Sequence, residues 1–339
     1  MPNGGDFSAR LKALLAQRGW SAADAARETG LSAATIARYL RGGKPSADSL
    51  LRLARTFDVD PWTLYGAPSA QLTALAEEWS DDDPPRWSYS KLADYLRCPA
   101  YFYFRHVAEV EGQVDADTVI GGAVHAGIEQ VLRAKAGLPA EDPAEAVAGK
   151  VMTEAPYLAP NDDGTPVDPD ALTKEATKLV QVYAEQVAPT FEPVAVEQRL
   201  EADIAGVKVT AVLDVVDSEG RVRDTKTSKR KPAQTDLDES LQATIYDIAF
   251  TQHFGQPPKG VVFDYLLRRQ NGSVDVATFP ARERTDADRN RLARTLEGVV
   301  NAVEKGVFYP NPQNKFGCAR CPFRAECYEH YGTPLTASA

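Results

Sequence analysis

Residues 210–229 read TAVLDVVDSEGRVRDTKTSK, and no other stretch narrows the possible folds as far. Two runs rich in β-branched residues flank Ser218, Glu219 and Gly220. Three-residue hairpin loops commonly end in a left-handed glycine, which predicts Asp217 opposite Arg221. Counting back sets Asp214 opposite Asp224. Paired residues share a sheet face, so Lys226 joins the two aspartates and Thr225 points away. Directly opposed side chains are about 5 Å apart, and like charges there are destabilising. A divalent cation shared by the carboxylates offsets the repulsion, and hard oxygen donors suit Mg²⁺ or Mn²⁺. A lysine beside it can hold a phosphate or orient water. The competing reading is a solvent-washed edge hairpin, or one slipped by a residue, with the aspartates apart.

Cysteine use is the second constraint. The chain has four: Cys98, and Cys318, Cys321 and Cys327 spaced C-x2-C-x5-C about 220 residues later. The start of the sequence has no apolar signal core, which argues against export and for a cytoplasmic chain. Intracellular thiols are poor disulfide candidates, so thiolates held for a metal centre are expected. Four can serve structural Zn²⁺ or an iron–sulfur cluster. Either would close a loop containing the acidic hairpin.

The first 66 residues have a different rhythm. Apolar residues at helical spacing (Phe7, Leu11, Leu14, Leu15) begin a helix. Ser21, Ser32 and Ser46 are placed as N-caps of three more, and Pro61 suits the first turn of a last short one. Two short helices joined at a glycine-containing turn follow the helix-turn-helix plan. Residues 6–66 resemble the lambda-repressor-like (Xre-type) DNA-binding family. The resemblance implies Ala25 at the helix crossing, Leu31 and Ile36 in the core, and Ser32, Thr35, Arg38, Arg41 and Lys44 facing DNA. The alternative is a helical module that docks a protein, such as a recombinase. Net charge is −10 overall, but residues 1–66 carry nine basic against six acidic residues, a mildly basic head on an acidic body.

A helix over 67–79 and an acidic, proline-bearing linker ending at 86 are expected next. Residues 87–332 form the large domain and 333–339 a frayed tail. Within the large domain the sequence predicts a helix then an aromatic turn around Cys98–Pro99. A second helix opens at Gly121–Gly122 with His125 in its first turns, and a third spans 171–188. Strands at 194–204, 207–217 and 221–229 come next, followed by a helix with Gln242 and Tyr246 on one face. An interior strand at 260–269 and a long helix from 286 complete the pattern. No run of about 18 apolar residues occurs, so no membrane span is expected.

In this order the motifs resemble the RecB-like nucleases of the PD-(D/E)xK superfamily, in the iron–sulfur branch that includes the AddB-type nuclease domain and the CRISPR-associated adaptation nuclease. The likeness covers residues 87–330. It rests on YSKLADYLRCPAYFYF, GGAVHAGIEQ, LDVVD, RDTKTSK, QATIY and CARCPFRAEC. It implies an α/β fold, a central mixed sheet flanked by helices, with a small all-α domain before it. Asp214, Asp224, His125 and the Thr225 carbonyl would bind catalytic Mg²⁺ or Mn²⁺, and Lys226 would orient or activate water. Gln242 and Tyr246 would contact the substrate strand. Cys98, Cys318, Cys321 and Cys327 would ligate one [4Fe–4S] cluster, and Glu197 is a further acidic candidate. The Pro-Asp dipeptide is missing, since Leu213 precedes Asp214, and Asp224 stands where the longer Glu is commoner. No G-x-x-x-x-G-K-[ST] loop, the mark of a helicase motor, is present. The expected function is a metal-dependent DNA exonuclease of recombination, repair or phage end processing. The alternative is a DNA-binding regulator whose cluster-bearing body is a sensor.

Overall fold

The structure, a computed structural model, describes residues 7–43, 45, 47–57, 59, 64, 86–161, 164–313, 318 and 321–332. Lys44, the Ser46 cap, the Pro61 helix, the 67–79 helix, the linker up to 85 and the 333–339 tail lie outside them.

Among the described residues, four helices belong to the N-terminal unit: α1 (Phe7–Arg18), α2 (Ala22–Thr29), α3 (Ala33–Leu40) and α4 (Ala47–Phe57). Ser21 caps α2 in a reciprocal box. Its hydroxyl accepts from the Asp24 N–H at 3.2 Å, and Asp24 accepts from the Ser21 N–H at 2.9 Å. Ser32 caps α3 through the Thr35 N–H at 3.1 Å. Ala25 and Ile36 are fully buried at the α2–α3 crossing, and Leu31 packs against them half-buried.

The large unit is one six-stranded mixed sheet with helices on both faces. Its elements are β1 (Trp87–Ser88), α5 (Tyr89–Arg97), α6 (Pro99–His106), α7 (Ala116–Lys135), α8 (Pro143–Glu154), α9 (Pro169–Gln186), β2 (Pro193–Ile204), β3 (Val207–Asp217), β4 (Arg221–Ser228), α10 (Gln234–Asp238), α11 (Leu241–Phe254), β5 (Gly260–Arg268), β6 (Val274–Pro280), α12 (Asp286–Glu304) and α13 (Arg324–Tyr331). β2 pairs antiparallel along one edge of β3. The other edge is shared: β4 pairs antiparallel at Val215–Arg223 and Val216–Val222, and β1 pairs parallel at Val209 and Thr210. Residues 211–214 of that edge lie between, with no strand against them. Beyond β4 come β5, parallel, and β6, antiparallel. A parallel neighbour requires a crossover, supplied by α10 and α11.

The hairpin follows from its turn. Gly220 adopts φ +79° and its N–H donates to the Asp217 carbonyl at 2.9 Å. Asp217 accepts from the Glu219 and Arg221 N–H groups and ion-pairs with Arg221 Nε at 2.7 Å. The two ladder pairs hold the expected register, and the ladder ends there, one residue short of Asp214 and Asp224.

Three expectations are corrected. The aromatic stretch after Cys98 is a helix, not a turn: Pro99 starts α6, and Tyr101, Phe102 and Phe104 are buried. α7 starts at Ala116, where Asp115 caps it through the Thr118 N–H at 2.8 Å, so His125 lies mid-helix. Gly121 and Gly122 do not open the helix, and the glycine that packing demands is Gly127. A Cβ on Gly127 would come within 2.7 Å of Val180 and 2.8 Å of Val147, so α7 meets α8 and α9 at closest approach there. Third, α8, β6 and α13 are additional elements.

Candidate active site

The site lies where β3 and β4 separate. Side-chain alternation along β3 slips by one at Asp214: Val209, Ala211 and Leu213 face the core under α11, Val215 faces the core under α7–α9, and Val216 faces the first again. β2 slips with it. Val196 pairs with Val215 and Gln198 with Leu213, so Glu197 is the residue opposite Asp214. Glu197 has φ +50°, a left-handed backbone that costs a non-glycine residue about 1–2 kcal/mol.

These strands bring His125, Glu197 and Asp214 together, with one ligating atom of each inside 4.8 Å of the others. This is the one such group among the described residues. His125 Nδ1 is 3.3 Å from Asp214 Oδ2, which also accepts the Thr225 N–H at 2.9 Å. Asp224 is 1% exposed. Its Oδ1 accepts from Gln242 Nε2 and from the Tyr246 hydroxyl, both at 2.8 Å. Its Oδ2 is ion-paired with Lys226 Nζ at 2.7 Å.

Electrostatics show the strain of this grouping. Burial, then Asp214 and Glu129, pushes the Glu197 carboxyl up to about 8. Burial and the nearby Asp224 raise Asp214, against the pull of His125 and Lys226. Burial opposes the Lys226 charge, but Asp224 and Asp214 outweigh it and hold its pKa above the ordinary lysine value. Three acidic groups and one histidine therefore converge with a single ammonium. Carboxyl groups crowded this closely are costly to keep ionised, and a divalent cation fits that donor set.

Gln242 and Tyr246 lie on one face of α11 as expected, but both are turned onto Asp224, and Tyr246 is 4% exposed. They brace a carboxylate. Glu129, one turn beyond His125 on α7, is near enough to raise Glu197 and had no signal in the sequence beyond its i+4 spacing.

The thiols form a second group at the far end of α5. Cys98 sits between α5 and α6, and Cys98, Cys321 and Cys327 pack around Tyr101, Phe104 and Phe323. Cys98 Sγ accepts the Asn311 N–H at 3.3 Å. Burial, then the neighbouring thiols, pushes Cys327 up to about 11. In the N-terminal unit Ser32 and Arg41 are exposed, and Thr35 is half-buried against the Ser32 hydroxyl at 2.8 Å. Arg38 is exposed, with its guanidinium over the Tyr39 ring at 5.0 Å.

No helix among the described residues is long and apolar enough to cross a membrane. No curated protein matches the sequence. Among solved structures, a candidate exonuclease from Eubacterium rectale aligns over 75% of this chain and 90% of its own, with TM-score 0.49 and 12% identity. The protein SSO0001 aligns over 70% of this chain and 92% of its own, with TM-score 0.30 and 13% identity. Residues 11–61 match the helix-turn-helix family profile. Residues 86–328, which hold the whole acidic site and its sheet, match the profile of the PD-(D/E)XK nuclease superfamily, and the chain belongs to that superfamily.

Proposed function

We propose that the protein is a metal-dependent DNA nuclease that hydrolyses phosphodiester bonds, acting as an exonuclease on ends or single strands. The observation that carries this is the convergence of His125, Glu197 and Asp214, with Asp224 close enough to raise Asp214. These four residues would hold Mg²⁺ or Mn²⁺, which when bound supplies positive charge to a phosphate oxygen and acidifies water. Gln242 and Tyr246 donate to Oδ1 of Asp224 and so fix the orientation of its carboxylate. The Thr225 N–H does the same for Asp214. Lys226, beside Asp224 at 2.7 Å, would orient or activate water or donate to a phosphate oxygen.

Cys98, Cys318, Cys321 and Cys327 would ligate a [4Fe–4S] cluster with a structural role. Cys98, Cys321 and Cys327 pack around one aromatic cluster, and Cys327 feels the other three thiols, which supports a shared metal centre. The helix-turn-helix unit would hold the enzyme on duplex DNA, with Ser32, Thr35, Arg38, Arg41 and Lys44 toward it.

An anaerobic preparation incubated with end-labelled DNA tests both parts. Degradation with Mn²⁺, its loss on chelation, its loss in Lys226→Ala and about four irons per chain are expected. Cleavage that survives chelation or Lys226→Ala contradicts the site, and a colourless zinc protein contradicts the cluster.

A further inference from the structure

The row of side chains next to the acidic site holds a tyrosine whose hydroxyl has no hydrogen bond among the described residues. On β4 the partners of Asp224 and Lys226 on β5 are Phe263 and Tyr265, and those on β6 are Phe279 and Ala277. Paired residues share a face, so Tyr265 stands beside Lys226 on the face that carries Asp224. Phe263 is buried and fills the first row. In the second row Ala277 leaves the outer flank of Tyr265 uncovered. The Tyr265 ring is half-buried and held edge-on to Phe279, with centroids 5.7 Å apart and planes at 80°. Its hydroxyl makes no hydrogen bond among the described residues, whereas those of Tyr246 and Tyr95 are bound to Asp224 and to the Val307 carbonyl.

Tyr89 reaches the same place from across the gap in the sheet. It opens α5 directly after β1, which pairs with β3 above the unpaired interval 211–214. Tyr89 is half-buried, and its hydroxyl has no hydrogen bond among the described residues either. β1 pairs with β3 at Val209 and Thr210, so Tyr89 follows into the gap beside the β4 row that carries Lys226, and Tyr265 flanks that row on β5. The three side chains thus border one space.

A phosphodiester strand entering this site meets three carboxyl groups, which repel it. The Lys226 ammonium is already 2.7 Å from Asp224. Any phosphate beside the one being cut must find its donors elsewhere. Neutral phenols supply hydrogen bonds to phosphate oxygens without perturbing the charge balance that holds a cation.

We propose that the Tyr265 and Tyr89 hydroxyls bind the phosphodiester group adjacent to the scissile one and set the register of the strand in the site. This rests on the nuclease reading above. The test is Tyr265→Phe, Tyr89→Phe and the double variant in the full-length protein. Cleavage of an end-labelled single-stranded 20-mer with Mn²⁺ gives kcat and KM. Anisotropy of the same oligonucleotide in chelator gives Kd without turnover. A hydrogen bond to a charged group is worth about tenfold in binding. Each single variant is expected to raise KM and Kd about tenfold, and the double variant about a hundredfold. kcat should hold within about threefold and the melting temperature should not move. Unchanged KM and Kd, or a loss seen only in kcat or in melting temperature, overturns the proposal. Should the wild type cleave nothing, the nuclease reading fails while the Kd comparison still decides the tyrosines. A wild type that binds no oligonucleotide ends both.

Discussion

Asp214→Asn is expected to lower DNA cleavage by more than about 1,000-fold, the scale of losing several kcal/mol of metal-derived stabilisation, while making the metal-free protein harder to unfold. The two effects share a cause. Asp214 is half-buried, lies near Asp224, and sits within ligating distance of Glu197 and His125. Without a cation its charge is a liability, and asparagine removes it. The amide oxygen can still accept the Thr225 N–H that Asp214 Oδ2 now holds at 2.9 Å, so the local backbone keeps its bond. A gain of about 1 kcal/mol corresponds to roughly 2–4 °C for a domain of this size. Cleavage assays and thermal melts in chelator measure both. A variant that keeps its activity, or that melts well below the wild type without metal, contradicts the placement of Asp214 at a shared cation site.

The largest effect on stability is expected one residue before Asp224. Arg223 points to the opposite face of β4 and forks onto Asp264 of β5, with Nε–Oδ2 at 2.9 Å and Nη2–Oδ1 at 2.7 Å. Thr278 donates to Asp264 at 2.6 Å, and the Phe191 ring lies 4.3 Å from the guanidinium. Both charges are buried, Asp264 completely. Asp264→Ala leaves Arg223 with Asp217 at 3.7 Å as its remaining acidic neighbour among the described residues. Breaking such a pair from one side costs about 3–5 kcal/mol. Replacing both partners, as in Arg223→Met with Asp264→Leu, should recover most of the loss, because no buried charge is then orphaned. Activity should fall in the single variant, since β4 carries Asp224 and Lys226 as well. Denaturant melts decide this: a single-variant loss under about 1 kcal/mol would show that the pair is not fully desolvated.

Much of the site was legible because it is written locally. A three-residue turn ending in Gly220 fixes the hairpin register at Val215–Arg223 and Val216–Val222, next to Asp214 and Asp224. Helix ends marked by Ser21 and Ser32 were legible for the same reason, since caps act over three residues. What was missed depends on distant packing. The left-handed turn of the backbone at Glu197, which accompanies the slip of β2 and β3 together, leaves no mark in VAVEQRL. Gly121 and Gly122 resembled a helix start because the close approach of α8 and α9 at nearby Gly127 is invisible without those helices. Gln242 and Tyr246 shared a face as their spacing required, but only the fold shows that this face meets Asp224. β6 carries a weak alternation in VDVATFP and takes its place from pairing with β5.

The most direct test is a crystal of the wild-type protein soaked in Mn²⁺ and measured at a wavelength where manganese scatters anomalously. The expected result is one strong peak bounded by His125, Glu197, Asp214 and Asp224, lost in Asp214→Asn. A peak elsewhere, or none while both aspartates keep the positions described above, would show that these carboxylates converge for some reason other than holding a cation.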